Sequence, residues 1–163
     1  MNLHPTPARR ALLDQVAAGN VFRTQQFLRG GHVREWDSND ATGRRVTAAM
    51  VELVAAGWVT LPAFAPVDRT RRRWQPTRLG RAVNAVRLMD YGTHAVAETG
   101  PVDEPTYLGQ VTGDLNRPSR WVAEVGPNAE TGLRRPEAVA ALHRMAVQVL
   151  VDLEHDAREG ASS

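Results

Sequence analysis

Four arginines, Arg69, Arg71, Arg72 and Arg73, fall within five residues. Guanidinium groups that close repel one another unless a polyanion neutralises them, and each can donate to phosphate oxygens. In a strand, Arg71 and Arg73 point one way and Arg72 and Trp74 the other, so Arg72 is expected over the core side. A second group, Arg44, Arg45, Thr47, Ala48 and Val51, falls on the polar side of a predicted helix. Arginine pairs bidentately with guanine, and Thr, Ala and Val suit the thymine methyl. The N-terminus of a helix favours a phosphate, whereas two arginines there oppose the helix dipole. Arg9 and Arg10 on a first helix, and Arg78, Arg81 and Arg87 on a later one, are within reach of flanking phosphates. The competing reading for each group is a solvated charge run, and for the last three also a dimer contact.

All twenty basic residues are arginine. A high-GC coding bias produces the same pattern, so their number decides little. Their distribution decides more. Residues 1–90 hold 14 arginines against 7 acids, a net charge of +7, and residues 91–163 hold 6 against 11, a net charge of −5. A basic half joined to an acidic half predicts that only the first half meets a polyanion.

Catalytic chemistry has little to work with. No cysteine is present, which removes thiolate zinc sites, thiol nucleophiles and disulfides. His4, His32, His94, His143 and His155 form no H-E-x-x-H pair, and no G-x-S-x-G, P-loop or G-x-G-x-x-G occurs. A non-enzyme without metal or cofactor is therefore expected. No apolar run approaches the roughly 20 residues of a membrane span. Met1 to Arg10 lacks the apolar core of a secretory leader. A cytoplasmic, nucleoid-associated location follows as an expectation.

The elements that would position these arginines are partly readable. Thr6-Pro7 predicts a capped helix start, with Leu12, Leu13 and Val16 as the buried stripe of a helix over 8–18. Residues 21–36 read as a hairpin about Gly30-Gly31, with a single helical turn over 25–29 as the alternative. Asp37-Ser38-Asn39-Asp40 reads as a loop. A helix is predicted over 42–56, with Val46, Ala49, Met50, Leu53 and Val54 on its buried face. Strands are expected at 58–61 and 71–75 around a proline-rich loop, and a helix over 78–90. Trp36, Trp58 and Trp74 read as core residues. Residues 91–106 read as a linker. Strands at 107–112 and 121–125, a loop at 126–132 and a helix over 136–158 complete the chain. Val139, Leu142, Met145, Ala146, Val149, Leu150 and Leu153 give that last helix a wide apolar arc.

Two local patterns join in one layout. Val46 to Val59 reads V-T-x-x-M-x-x-L-x-x-x-G-W-V, and Trp74 to Gly80 reads W-x-P-T-x-x-G, with the basic loop between them. Together they resemble the winged helix-turn-helix regulators of the MarR and PadR kind over residues 8–90. The departure is upstream, where residues 21–41 show no helix before the one proposed for recognition. Residues 107–158 resemble, in layout alone, the small sheet-plus-helix AP2-like arms of phage integrases.

The fold class expected is α+β. It comprises a winged helix domain over 1–90, a linker over 91–106, and a small antiparallel sheet with a long C-terminal helix over 107–159. The resemblance implies a sequence-specific double-stranded DNA-binding regulator, homodimeric, with the helix in the major groove and the arginine-rich wing on the minor groove or phosphates. A protein partner for the acidic half is a further expectation. The alternatives are a winged-helix protein-interaction adaptor, or an accessory protein of partition, replication or recombination.

Overall fold

The computed structural model describes residues 4–27, 33–62 and 71–160. The expected turn at Gly30-Gly31 and the wing loop carrying Arg69 lie outside the described residues. The chain forms two compact units, Met1–Asn84 and Ala85–Ser163. Their net charges are +7 and −5, so the charge asymmetry follows the structural division. The architecture is mixed α and β, with antiparallel sheets. No described helix is long and apolar enough to cross a membrane.

The first unit opens with α1 (Pro7–Ala17). Thr6 caps it, its hydroxyl accepting from Arg9 N at 3.3 Å, and Pro7 stands where no backbone donor is needed. Leu12, Leu13 and Val16 are buried. Strands β1 (Phe22–Phe27) and β2 (Val33–Asn39) pair antiparallel, as the hairpin reading predicts; the alternative of a helical turn over 25–29 is not seen within β1. Strand β2 runs through residues 37–39, which had read as loop. Buried Asp37 and Ser38 are tolerated there because each is satisfied: Arg45 pairs with Asp37, and Trp74 Nε1 donates to Ser38 Oγ at 3.0 Å.

Next come α2 (Thr47–Ala55), β3 (Val59–Thr60), β4 (Arg71–Arg73), β5 (Gln75–Pro76) and α3 (Arg78–Ala85). Strands β3 and β5 pair with each other, but β4, which lies between them in sequence, pairs with β1. The resulting sheet has the order β2-β1-β4. Thr77 caps α3 through Gly80 N at 3.0 Å, and its hydroxyl donates to Gly57 O at 2.6 Å. Gly80 explains the end of the W-x-P-T-x-x-G string. A Cβ there would stand 1.9 Å from Trp58 O, so only glycine lets α3 lie against β3. Between α1 and α2 the described elements are the strands β1 and β2, so α2 is not the second member of a described helix pair.

The second unit is a meander of β6 (Arg87–Asp90), β7 (Ala95–Thr99), β8 (Thr106–Gly113), β9 (Trp121–Val125) and β10 (Asn128–Leu133), in the order β10-β9-β8-β7-β6. Helix α4 (Arg135–Gly160) covers one face. The covered sheet face is built of small side chains: Ala95, Ala97, Gly109, Val111, Ala123 and Val125. They meet Ala138, Ala141, Leu142, Ala146 and Val147 of the helix. Small residues on both sides permit close approach of a helix to a sheet.

Three expectations are corrected here. The helix predicted over 78–90 ends at Ala85, because Arg87–Asp90 pairs with Ala95–Thr99. The segment read as a linker therefore contains β7. The loop read over 126–132 is mostly β10, leaving Gly126-Pro127 as its turn. In each case pairing with the adjacent strand of the meander outweighs a weak local pattern.

Candidate nucleic-acid interface

The helix proposed to read bases starts later than its sequence suggests. Thr47, not Thr42, is its first residue. Residues 40–46 fold back along β2 instead. Asp40 Oδ1 accepts from Thr42 N at 2.9 Å, Thr42 Oγ1 at 2.6 Å and Arg44 N at 3.0 Å. Gly43 takes a left-handed φ of 82°, and Arg45 bridges to Asn39. The three donors, with the Arg44 charge nearby, hold the Asp40 carboxyl below the ordinary aspartate range. Val46 N donates to Ser38 O at 2.7 Å, and only then does the helix begin.

Arg44 and Arg45 thus precede α2 and do not sit on its first turn, so they carry no dipole penalty. Arg44 is exposed on the ordered turn. Arg45 reaches back to Asp37 at 2.8 Å; its side chain is 63% exposed and that of Asp37 only 6%. Thr47 is also committed to the fold. Its hydroxyl accepts from Ser38 N at 2.9 Å and donates to Asp37 Oδ1 at 3.3 Å. The side of α2 left to solvent is almost uncharged: Ala48, Val51 at 63% exposure, Glu52 and Ala55.

Glu52 is taken by Arg9, whose Nε and Nη2 donate to one carboxylate oxygen at 3.1 and 2.8 Å, with Nη1 on His4 O at 2.9 Å. Arg9 is therefore a clasp between α1 and α2. Arg10 is half-buried; burial lowers its pKa and Asp14 partly offsets the effect. Arg78 is half-buried at the start of α3, and Arg81 donates to Pro76 O at 3.2 Å.

Register divides the wing arginines. Arg71 pairs with Thr24 and Arg73 with Phe22, while Arg72 pairs with Arg23, which in turn pairs with Ser38. Directly paired residues share a face, so Arg73 and Phe22 lie on one side of the sheet and Arg72 and Arg23 on the other. Arg72 donates to Pro62 O. Trp74 is buried, as the alternation predicts. Arg73 is exposed, its guanidinium 5.4 Å from the Phe22 ring centroid and its stem beside Gly19. The Arg72 side of the sheet borders an open apolar groove of about 330 Å³, lined by Arg23, Ser38, Thr47, Met50, Val51, Val54, Ala55 and Trp74.

Sequence reasoning missed Arg23, Asp37 and Asp40. The signal for Arg23 was its place in a strand, where pairing with Arg72 aligns two guanidinium stems. The run Asp37 to Asp40 read as a loop because its residues are typical of loops; burial reverses that for the first two. Trp58 is buried as predicted. In the second unit Arg135 pairs with Asp90 and lies 5.2 Å over the Trp121 ring. Among the described residues, no group of three or more His, Asp or Glu is placed to hold a metal ion. The chain matches no protein-family model, no curated protein and no solved structure.

Proposed function

We propose that the first unit binds double-stranded DNA and that the chain is a sequence-specific transcriptional regulator, without catalytic activity. The observation that carries this reading is the coincidence of charge with structure: the +7 excess belongs to the compact unit that exposes, beside Arg44, a helix face whose one charge, Glu52, is paired with Arg9. Ala48, Val51 and Ala55 suit the floor of a major groove, where charged side chains other than base readers would be desolvated. Arg44 stands at the helix entrance, and Arg71 and Arg73 serve phosphates from the sheet. Arg9, Arg45 and Thr47 support α2 through their bonds to Glu52 and Asp37, and this reading gives them no base contact. Action as a homodimer on a two-fold operator in the cytoplasm belongs to the same proposal.

The test is anisotropy with a random-sequence duplex across a salt titration, for the wild type and R44A/R71A/R73A. Each lost phosphate contact lowers the slope of log K against log salt by about 0.9. A slope reduced by roughly two to three supports the reading. Wild-type behaviour in the variant, or no binding at low salt, refutes it.

A second reading is favoured by one feature. Val51 and Val54 remain 63% and 45% exposed beside the apolar groove, a surface that also suits the apolar side chains of a protein partner. Val51→Asp separates the two. A DNA reader loses affinity for DNA, whereas an adaptor keeps its DNA behaviour and loses its partner.

A further inference from the structure

The hairpin between β8 and β9 holds a leucine in full contact with solvent. Leu115 is 100% exposed. Single exposed leucines are ordinary on a surface, but this one stands on an ordered tip. Asp114 N donates to Arg120 O at 2.8 Å, Arg117 N to Asp114 O at 3.3 Å and Arg120 N to Arg117 O at 3.0 Å. Asn116 N donates to the Asp114 carboxylate at 2.9 Å. Ser119, at φ 69°, is the one described residue other than glycine in the left-handed region. The turn accepts that strained conformation and still hides no apolar surface.

Three arginines lie at this end of the sheet, two in the turn itself and one just after β10. Arg120 Nη1 donates to Gly132 O at 3.4 Å, and Arg117 Nη1 lies over the same glycine, 3.3 Å from where a Cβ would stand. Arg134 follows two residues on. All three are exposed, and among the described residues none has an ion-pair partner. The carboxylates at this end of the sheet are already engaged: Asp114 by Asn116 N, Glu137 by Arg134 N at 2.8 Å and Asp90 by Arg135.

The −5 charge of the unit is not the charge of this end. Asp103 and Glu104 lie in the β7–β8 connection, at the opposite end of the sheet by register. Glu98 and Glu124 lie on the uncovered sheet face, and Asp152, Glu154, Asp156 and Glu159 on the last turns of α4.

We propose that this hairpin is a DNA-inserting tip: Leu115 wedges between base steps from the minor groove, and Arg117, Arg120 and Arg134 bind the flanking phosphates. The inference rests on the DNA reading above for its ligand, but on different residues in the other unit. An exposed apolar side chain on a turn that shares its end of the sheet with three arginines suits the minor groove, where insertion unstacks a step and kinks the duplex. A protein pocket would have to desolvate three unpaired cations to take the same leucine.

The experiment uses the full chain and a duplex of about 20 base pairs, carrying 2-aminopurine at a central TA step and dyes at both ends. Binding by the wild type is expected to raise 2-aminopurine fluorescence about twofold or more and to increase end-to-end energy transfer. L115A is expected to bind within about tenfold of wild type while losing both signals, and L115F to keep them. R117A/R134A is expected to lower the salt slope by roughly two. Matching thermal melts exclude misfolding, because all three sites are exposed. Wild-type unstacking and bending by L115A overturn the proposal. If R44A/R71A/R73A binds normally while R117A/R134A weakens, the first-unit reading fails and this one stands; the reverse pattern overturns this one alone. Absence of binding at low salt overturns both. Unaltered DNA behaviour in L115A, with loss of a protein partner, reassigns the tip to protein recognition and also overturns it.

Discussion

Gly80→Ala tests the joint on which the first unit closes. In most helices this change gains about 1 kcal/mol, because alanine loses less backbone entropy. Here the added Cβ would lie 1.9 Å from Trp58 O, 2.8 Å from Trp58 C and 3.2 Å from Trp58 Cα. All three atoms are backbone, so no side-chain rotation relieves the clash. Helix α3 would have to withdraw by roughly 1.4 Å to reach the ~3.3 Å of a normal carbon–oxygen contact. That movement also stretches the bond from Thr77 N to the same carbonyl, now 3.0 Å, and the Thr77 hydroxyl bond to Gly57 O. Overpacking costs about 1–3 kcal/mol and a lost hydrogen bond about 1 kcal/mol, so steric cost exceeds the propensity gain by about 1–3 kcal/mol. For a unit of this size, Tm should fall by roughly 5–20 °C. Tryptophan fluorescence during heating reads the change, since Trp58 and Trp74 are buried in this unit, and a Trp121→Phe background silences the other. A Tm for Gly80→Ala equal to or above wild type would refute the close approach of α3 to β3.

Asp37→Ala removes the acceptor shared by Arg45 and Thr47. Arg45 is mostly exposed and regains water, so the expected loss is about 1–2 kcal/mol and not the larger cost of a stranded buried charge; urea unfolding measures it, and Asp37→Asn should lose less. Asp40 bears on acid sensitivity. Its folded pKa lies below the ordinary aspartate value, so its contribution to the turn is complete above about pH 4 and is lost as pH falls through the depressed value. Amide protection factors at Thr42 and Arg44, taken relative to the intrinsic exchange rate at each pH, should therefore fall in that acid window. Asp40→Asn should show fast exchange at neutral pH already, and slow exchange in that variant would contradict the assignment.

Capped and glycine-terminated elements are legible because their signals are local. Thr6-Pro7 starts α1 by a bond reaching only to Arg9, and Thr77 starts α3 by a bond reaching only to Gly80. The start of α2 is different. Thr42 resembles an N-cap, but Asp40 captures the following turn and the Arg45–Asn39 bridge returns the chain to β2. Strand β7, Ala-Val-Ala-Glu-Thr, has little strand propensity of its own. Its alanines belong there because α4 approaches the sheet closely.

The sequence by itself determined the arginine clusters, the separation of basic and acidic halves, the α1 cap and the mixed α and β class. Each depends on residue type or on spacing within one element. The tertiary structure alone decided that β4 pairs with β1, that Arg9 clasps Glu52, and that Arg44 and Arg45 stand before the helix. It also decided that Leu115 stands fully exposed in the turn and that Arg117 and Arg120 lie against Gly132 of β10. These depend on which distant backbone a segment pairs with, and pairing is settled by burial and hydrogen-bond satisfaction across the whole unit, which no local pattern encodes.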